Sequence, residues 1–157
     1  MREQFEWWIL PMVNPDGVVI GNYRCNLQGK DMNRHFFYDN ENVNDLRCAE
    51  VELLTTYMQE NLPSKDSLKM FLDIHAHSRD KGISMYAPRP LDTASIERIQ
   101  RFSLLLDQMG SGLFSLQNCS INNAVSKKCC ARLGINNNYK LANSYTIETS
   151  CWGFETK

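Results

Sequence analysis

At 157 residues, with 43% hydrophobic and 22% charged side chains, the chain has the proportions of one globular domain with a sizeable core. Its net charge of −1 supplies no global field for nucleic acid or an anionic membrane, so any affinity for anions must come from local clustering. The six cysteines include no C-x-x-C pair, and vicinal Cys129-Cys130 is poor disulfide geometry, so they read as reduced thiols in a cytosol-like compartment.

The apolar stretch "FEWWILPMV" (5–13) predicts a buried strand. It is too short to span a bilayer and lacks the basic flank and cleavage site of an export signal. "NPDG" (14–17) suits a type I turn, and "VVIGNY" an extended segment after it. "GKDMNRHFF" (29–37) has no period and reads as a structured loop. Residues 45–62 predict a helix with Leu46, Ala49, Leu53 and Tyr57 on one stripe, widened by Leu54 and Met58 and stopped by Pro63. "LKMFLDI" (68–74) reads as a strand buried on both faces, and "GISMYA" (82–87) as another. Asp92 or Thr93 caps a second helix with the stripe Ile96, Ile99, Phe102, Leu106 and Met109. "LFSLQ" (113–117) is a third strand candidate. Residues 118–144 show no clear period and read as a long functional loop. "SYTIETS" (144–150) alternates as a strand, with Tyr145, Ile147 and Thr149 on one side and Thr146 and Glu148 on the other. Strands interleaved with helices predict an α/β sheet with helices on its faces.

Three stretches carry chemistry. In "FLDIHAHS" (71–78), His75 sits at a strand end, the usual ligand-binding edge of an open α/β sheet. His77 projects from the same face if the strand continues. Either histidine could be a metal ligand or simply a hydrogen-bonded side chain. A catalytic zinc takes roughly three protein ligands, yet the sequence contains neither H-E-x-x-H nor H-x-x-E. The nearest pattern is His77-Ser78-Arg79-Asp80, and His35 is the remaining histidine, so a His35, His75 and His77 site is arithmetically open. In "GNYRCNLQGKDMNRH", Arg24, Lys30 and Arg34 outnumber Asp31. Such forks suit bidentate capture of a carboxylate, helped by Asn33. In "SYTIETSCWG", Glu148 near a strand end can act as a general base.

Together these motifs resemble the zinc metallocarboxypeptidases, and within them the cytosolic carboxypeptidase branch. "PMVNPDGVVIGNYRCNLQGKDMNRHF" is similar to that branch's signature, and "FLDIHAHS" and "SYTIETSCWG" to its downstream motifs, in order. The resemblance implies a mixed, largely parallel sheet with helices on both faces. It also implies one Zn2+ per complete domain, with His75 as the third ligand, and Glu148 as general base and acid. Asn33 and Arg34 would grip the substrate's terminal carboxylate, and Arg24 would polarise the scissile carbonyl and stabilise the oxyanion. His77 is not a ligand in that pattern. Arg132 stands near a family segment ending in arginine, whose Gly-Thr character Cys129-Cys130 replace here. The branch trims C-terminal glutamate or tyrosine from protein tails, notably tubulin, in the cytoplasm, with no nucleic-acid or membrane partner implied.

The family's first two zinc ligands lie in an H-x-x-E motif upstream of the strand before "NPDG", where this sequence starts. Its amino-terminal β-sandwich and closing C-terminal helix are likewise not among these residues. Residues 1–157 are therefore expected to be a partial catalytic domain, inactive or nearly so by itself. The alternative is a non-catalytic remnant that binds peptide C-termini through Arg24, Asn33 and Arg34. A thiol hydrolase using Cys151 finds no supporting signature.

Overall fold

The computed structural model describes residues 4–36, 48–79, 81–89, 92–110, 112–121 and 129–154. The expected helix start at 45–47 with Leu46, the loop end Phe37, the Asp80 of the H-x-x-D pattern and positions 122–128 lie outside these residues.

"NPDG" does turn the chain, but as the start of a helix. Asn14 Oδ1 accepts from the Gly17 N–H at 3.1 Å, and Pro15 occupies the first helical position, where no donor is needed. The result is α1 (Pro15–Ile20), where an extended segment was expected. Gly21, at φ 89°, ends it in the left-handed conformation, and the Gly21 and Asn22 N–H groups close on the Gly17 carbonyl. The run before it is not the buried strand predicted over 5–13: its residues are irregular, and Ile9 is 82% exposed. Strand-forming side chains need a neighbouring strand to pack beside, and none flanks this run among the described residues.

The helix α2 (Ala49–Asn61) forms, and it turns the widening side of its expected stripe, Leu54 and Met58, inward together with Val51. Leu53 of the predicted stripe is 73% exposed, whereas Val51 and Met58 are buried and Leu54 is partly so. Apolar residues surround most of this helix, so the packing partners choose the stripe. Met32, Phe36 and Ala131 gather on Val51, while Ile135, Tyr139 and Leu141 gather on Met58.

The sheet contains β1 (Phe71–His77), β2 (Ile83–Ala87), β3 (Ser120–Ile121) and β4 (Ser144–Ser150) in the order β1-β4-β2-β3. β1 runs parallel to β4 and β3 parallel to β2, while β2 and β4 are antiparallel, giving the mixed, largely parallel sheet expected. The third strand is displaced from its predicted place. Phe114 makes one isolated bridge to Ile83, and the chain turns at Leu116–Asn118 before a ladder can form. β1 is an edge strand, and its alternate residues Leu72 and Ile74 are exposed rather than buried on both faces, Ile74 at 70%.

One sheet face is covered by α3 (Thr93–Met109), capped by Asp92 Oδ1, which accepts from the Ser95 N–H at 2.8 Å. Ile99 packs among Met85, Ala87, Phe114 and Tyr145, and Phe102 stacks on Tyr145 at 4.8 Å between centroids. Met109 ends the predicted stripe in solvent. The opposite face meets α2 and a fourth helix, α4 (Ala131–Tyr139), inside the stretch expected to be irregular. Ala131 through Ile135 are all buried, and a helix buried all round shows no amphipathic period. Gly134 and three consecutive asparagines further lower its helical signal. With α3 on one face and α2 and α4 on the other, helices lie on both sides as expected.

Candidate active site

Parallel pairing in register sets the centre of the site. His75 pairs with Glu148 and Asp73 with Thr146, so Asp73, His75, His77, Thr146 and Glu148 share the face toward α4. Neighbouring strands lie about 4.8 Å apart, which puts Glu148 directly alongside His75. Ser84 flanks Glu148 from β2.

The loop before α2 delivers the remaining groups. Arg24 stands next to the antiparallel bridge between Cys25 and Asp31, and its Nε donates to Asp31 Oδ2 at 2.6 Å. The other carboxylate oxygen of Asp31 accepts from the Asn33 N–H at 3.0 Å, opening the single turn Met32–Arg34. Asn33 then joins three elements. Its Oδ1 accepts from the Ala131 N–H at 2.7 Å, which orients Nδ2 toward His75 Nε2, 3.1 Å away. Arg34 Nη1 donates to the Asn33 carbonyl at 2.7 Å. Arg24, Asp31, Asn33 and His75 thus form one connected chain with Glu148 beside its end.

The electrostatics agree with this convergence. The short bond that His75 Nε2 donates to Asp73 Oδ2, 2.8 Å, holds the imidazolium above its ordinary pKa. Burial opposes that shift, Glu148 adds to it and Arg24 subtracts. Arg24 is itself raised, first by its bond to Asp31. Two acids missed in the sequence therefore organise the site. Asp31 had counted only as an offset to the basic cluster, although alternation on β1 already placed Asp73 on the face of His75.

The other expected residues separate. His35 Nδ1 meets the Asp31 carbonyl at 2.6 Å, and His77 Nδ1 accepts from the Arg79 N–H at 3.3 Å. Among the described residues no three His, Cys, Asp or Glu side chains gather as a metal would require, which rules out a His35, His75 and His77 centre there. Arg132 is buried in α4, its guanidinium 5.6 Å from the centroid of the Tyr86 ring.

The family model for zinc carboxypeptidases, Peptidase_M14, matches residues 1–88. The chain belongs to the zinc carboxypeptidase family. Cytosolic carboxypeptidase 2 of Danio rerio is 33% identical over 156 residues, which are 98% of this chain and 20% of that protein. Cytosolic carboxypeptidase 3 of Bos taurus is 31% identical, over 98% of this chain and 15% of its own length. The chain thus spans a fifth or less of these two relatives. A metallo-carboxypeptidase from Pseudomonas aeruginosa, solved with (2-guanidinoethylmercapto)succinic acid, shares the fold at a TM-score of 0.66 and 24% identity, over 88% of this chain and 35% of that one. One from Burkholderia cenocepacia gives 0.66 and 21%, over 90% and 34%. Among the described residues no helix is long and apolar enough to cross a membrane.

Zinc carboxypeptidase membership implies zinc, but the described residues do not meet that demand alone. They offer one imidazole, His75, with the Nε2 proton given to Asp73 and Nδ1 left as the nitrogen for a metal. A catalytic zinc needs roughly two more protein ligands.

Proposed function

We propose that these residues form the substrate-gripping and proton-transfer side of a metallocarboxypeptidase site, acting on the C-terminal residue of protein tails. The observation that carries the reading is the connected chain Arg24–Asp31–Asn33–His75 with Glu148 at its end. His75 is the corner these residues offer to zinc, and the 157 residues are part of a catalytic domain whose other ligands lie outside them.

Each role follows from what a side chain still has to give. Asn33 Nδ2 carries two hydrogens and lies 3.1 Å from His75 Nε2, whose own proton goes to Asp73, so the amide hydrogens can meet a substrate carboxylate. Arg34 spends Nη1 on the Asn33 carbonyl, and its remaining N–H groups can take the same carboxylate bidentately. Arg24 spends Nε on Asp31 and keeps its terminal nitrogens for the scissile carbonyl oxygen. Glu148 takes a proton from the attacking water and returns it to the leaving amine as the C–N bond breaks. The excess of Arg24, Lys30 and Arg34 over Asp31 favours acidic tails, so the substrate is a C-terminal glutamate, as on glutamylated tubulin, met in the cytosol.

The test is release of glutamate from a peptide ending in consecutive glutamates by the full protein. Glu148→Gln should lower kcat about 10²–10⁴-fold and Arg24→Ala about 10²–10³-fold. The lack of a three-ligand cluster among the described residues favours a second reading, capture of C-terminal carboxylates without hydrolysis. Zinc content well below one per 157-residue chain is expected under both. Binding abolished by amidating the peptide, with no glutamate released by the full protein, selects the second.

A further inference from the structure

The turn between Cys25 and Asp31 is more heavily bonded than a surface loop requires. Asn26, 2% exposed, lies at its root. Its Oδ1 accepts from the N–H groups of Gln28 and Lys30, both at 3.0 Å, while its own N–H donates to the Lys30 carbonyl and its carbonyl accepts from Gly29. The Asn26 carbonyl also accepts from Asn22 Nδ2 at 3.4 Å. Asn26 Nδ2 reaches α2, donating to Glu50 Oε2 at 3.0 Å in its first turn, with Cys48 Sγ at 3.7 Å. The Cys48 thiol donates to the same oxygen at 3.1 Å. Burial pushes that thiol pKa up, and the bond to Glu50 adds to the shift, keeping it a donor. Burial also pushes Glu50 up, but the bonds from Asn26 and Cys48 outweigh it and hold the carboxyl below its usual range.

We propose that Asn26 and Glu50 are positioning residues for Arg24. Their amide–carboxylate bond pins the Cys25–Asp31 bridge to α2, and that bridge sets the Arg24–Asp31 pair. The bonds of Asn26 to Gln28, Gly29 and Lys30 shape the backbone between the two ends of the bridge. An Arg24 held only by its long side chain would sweep through many rotamers. Held by Asp31 on a pinned bridge, it presents its terminal nitrogens in one place. The proposal rests on the reading of Arg24 as the group that meets the scissile carbonyl.

Glu50→Ala, Glu50→Gln, Asn26→Asp and the double variant Asn26→Asp with Glu50→Gln test it in the full protein. The first readout is the Arg24 Nε–Hε nuclear magnetic resonance signal, assigned by its loss in Arg24→Lys and displaced by the short bond to Asp31. Glu50→Ala should move it toward the position of a free arginine. Glu50→Gln should leave it in place, because the amide oxygen still accepts from Asn26. Asn26→Asp sets two carboxylates face to face and should move it. The double variant exchanges donor and acceptor and should bring it back. In parallel, kcat should fall about 10–100-fold in Glu50→Ala with KM little changed, and recover in Glu50→Gln. A lower melting temperature in Glu50→Ala with an unmoved Arg24 signal and unchanged kcat would overturn the proposal. If Glu50→Ala does not fold, Asn26→Asp and its double variant decide by the same signal. Should Arg24→Ala leave turnover unchanged, the role given to Arg24 fails, while its resonance still reports whether Asn26 and Glu50 place it.

Discussion

The sheet face bearing Tyr145 and Ile147 is sealed over β4 and β2 but bare over β1. At the sealed end Met85 and Ile99 are buried, and Phe102 of α3 stacks on Tyr145. On the strand next to β4, Ile74 is 70% exposed on the same face. Ile74 and Ile99 are the same side chain with opposite surroundings, because α3 packs over one end and no described element packs over the other. Apolarity selects the residues able to be buried, and the covering helix decides which of them are. The polar face differs again. There α2 and α4 pack around Phe71, and the chain of contacts from Arg24 ends at His75, with Glu148 paired beside it.

The sharpest way to break the comparison is to truncate the sealed isoleucine. Ile99→Ala should cost about 2–5 kcal/mol in denaturant unfolding, the transfer term plus the cavity left among Met85, Phe114 and Tyr145. A cost no larger than that of truncating Ile74 would mean that α3 does not seal that end. On the polar face, Gly134→Ala should cost about 1–3 kcal/mol by overpacking, since a Cβ there collides with the Phe36 carbonyl. Its melting curve would show whether α4 sits as close to the loop of Asn33 as the Asn33–Ala131 bond implies.

The sequence was most legible where one physical signal had no competitor. Strict alternation gave β4 to the residue, and a single stripe with an Asp cap gave α3. α4 escaped because burial of all of Ala131 to Ile135, more than one full turn, erases the period that reveals a helix, and its glycine is there for close approach to Phe36. The apolar stripe expected for α2 was wider than its buried face, and only the partners Met32, Phe36 and Ile135 select Leu54 and Met58 over Leu53 and Tyr57. In the site, alternation set His75 with His77 and Glu148 with Thr146, and the parallel register of β1 on β4 brought the two pairs to one face. The bonds that join Arg24 to His75 run through Asp31 and Asn33 and depend on Ala131, 98 positions further on, which no local pattern reports. The three-histidine centre failed for the same reason: shared spacing on a strand says nothing about where His35 points.

A smaller effect sharpens the sealed end by pH. Burial pushes the Tyr145 phenol up to about 12, with Arg98 opposing, from an ordinary value of 10.0. The folded state therefore retains a proton that the unfolded state loses. The stabilisation is fully present below pH 10.0 and is lost as pH rises toward about 12. Tyr145→Phe should flatten that part of the melting profile. It should also cost about 0.5–1.5 kcal/mol at neutral pH through the lost bond from the hydroxyl to Asn143 Oδ1.

The smallest expected effect is the most demanding of the comparison. Ile74→Ala should change stability by no more than about 0.5 kcal/mol in the 157-residue chain, because an exposed side chain gives up little buried area when shortened. Ile74→Ser should behave alike, since the added hydroxyl meets water rather than a closed core. Leu72→Ala offers an independent reading one alternation away on the same bare strand. If both truncations instead cost as much as Ile99→Ala, something covers β1 in solution, and the bare edge would be a buried surface. Repeating the pair in any longer form of the protein turns the measurement into a map. A cost that rises only there locates the covering segment over β1, on the back of the strand whose other face carries His75.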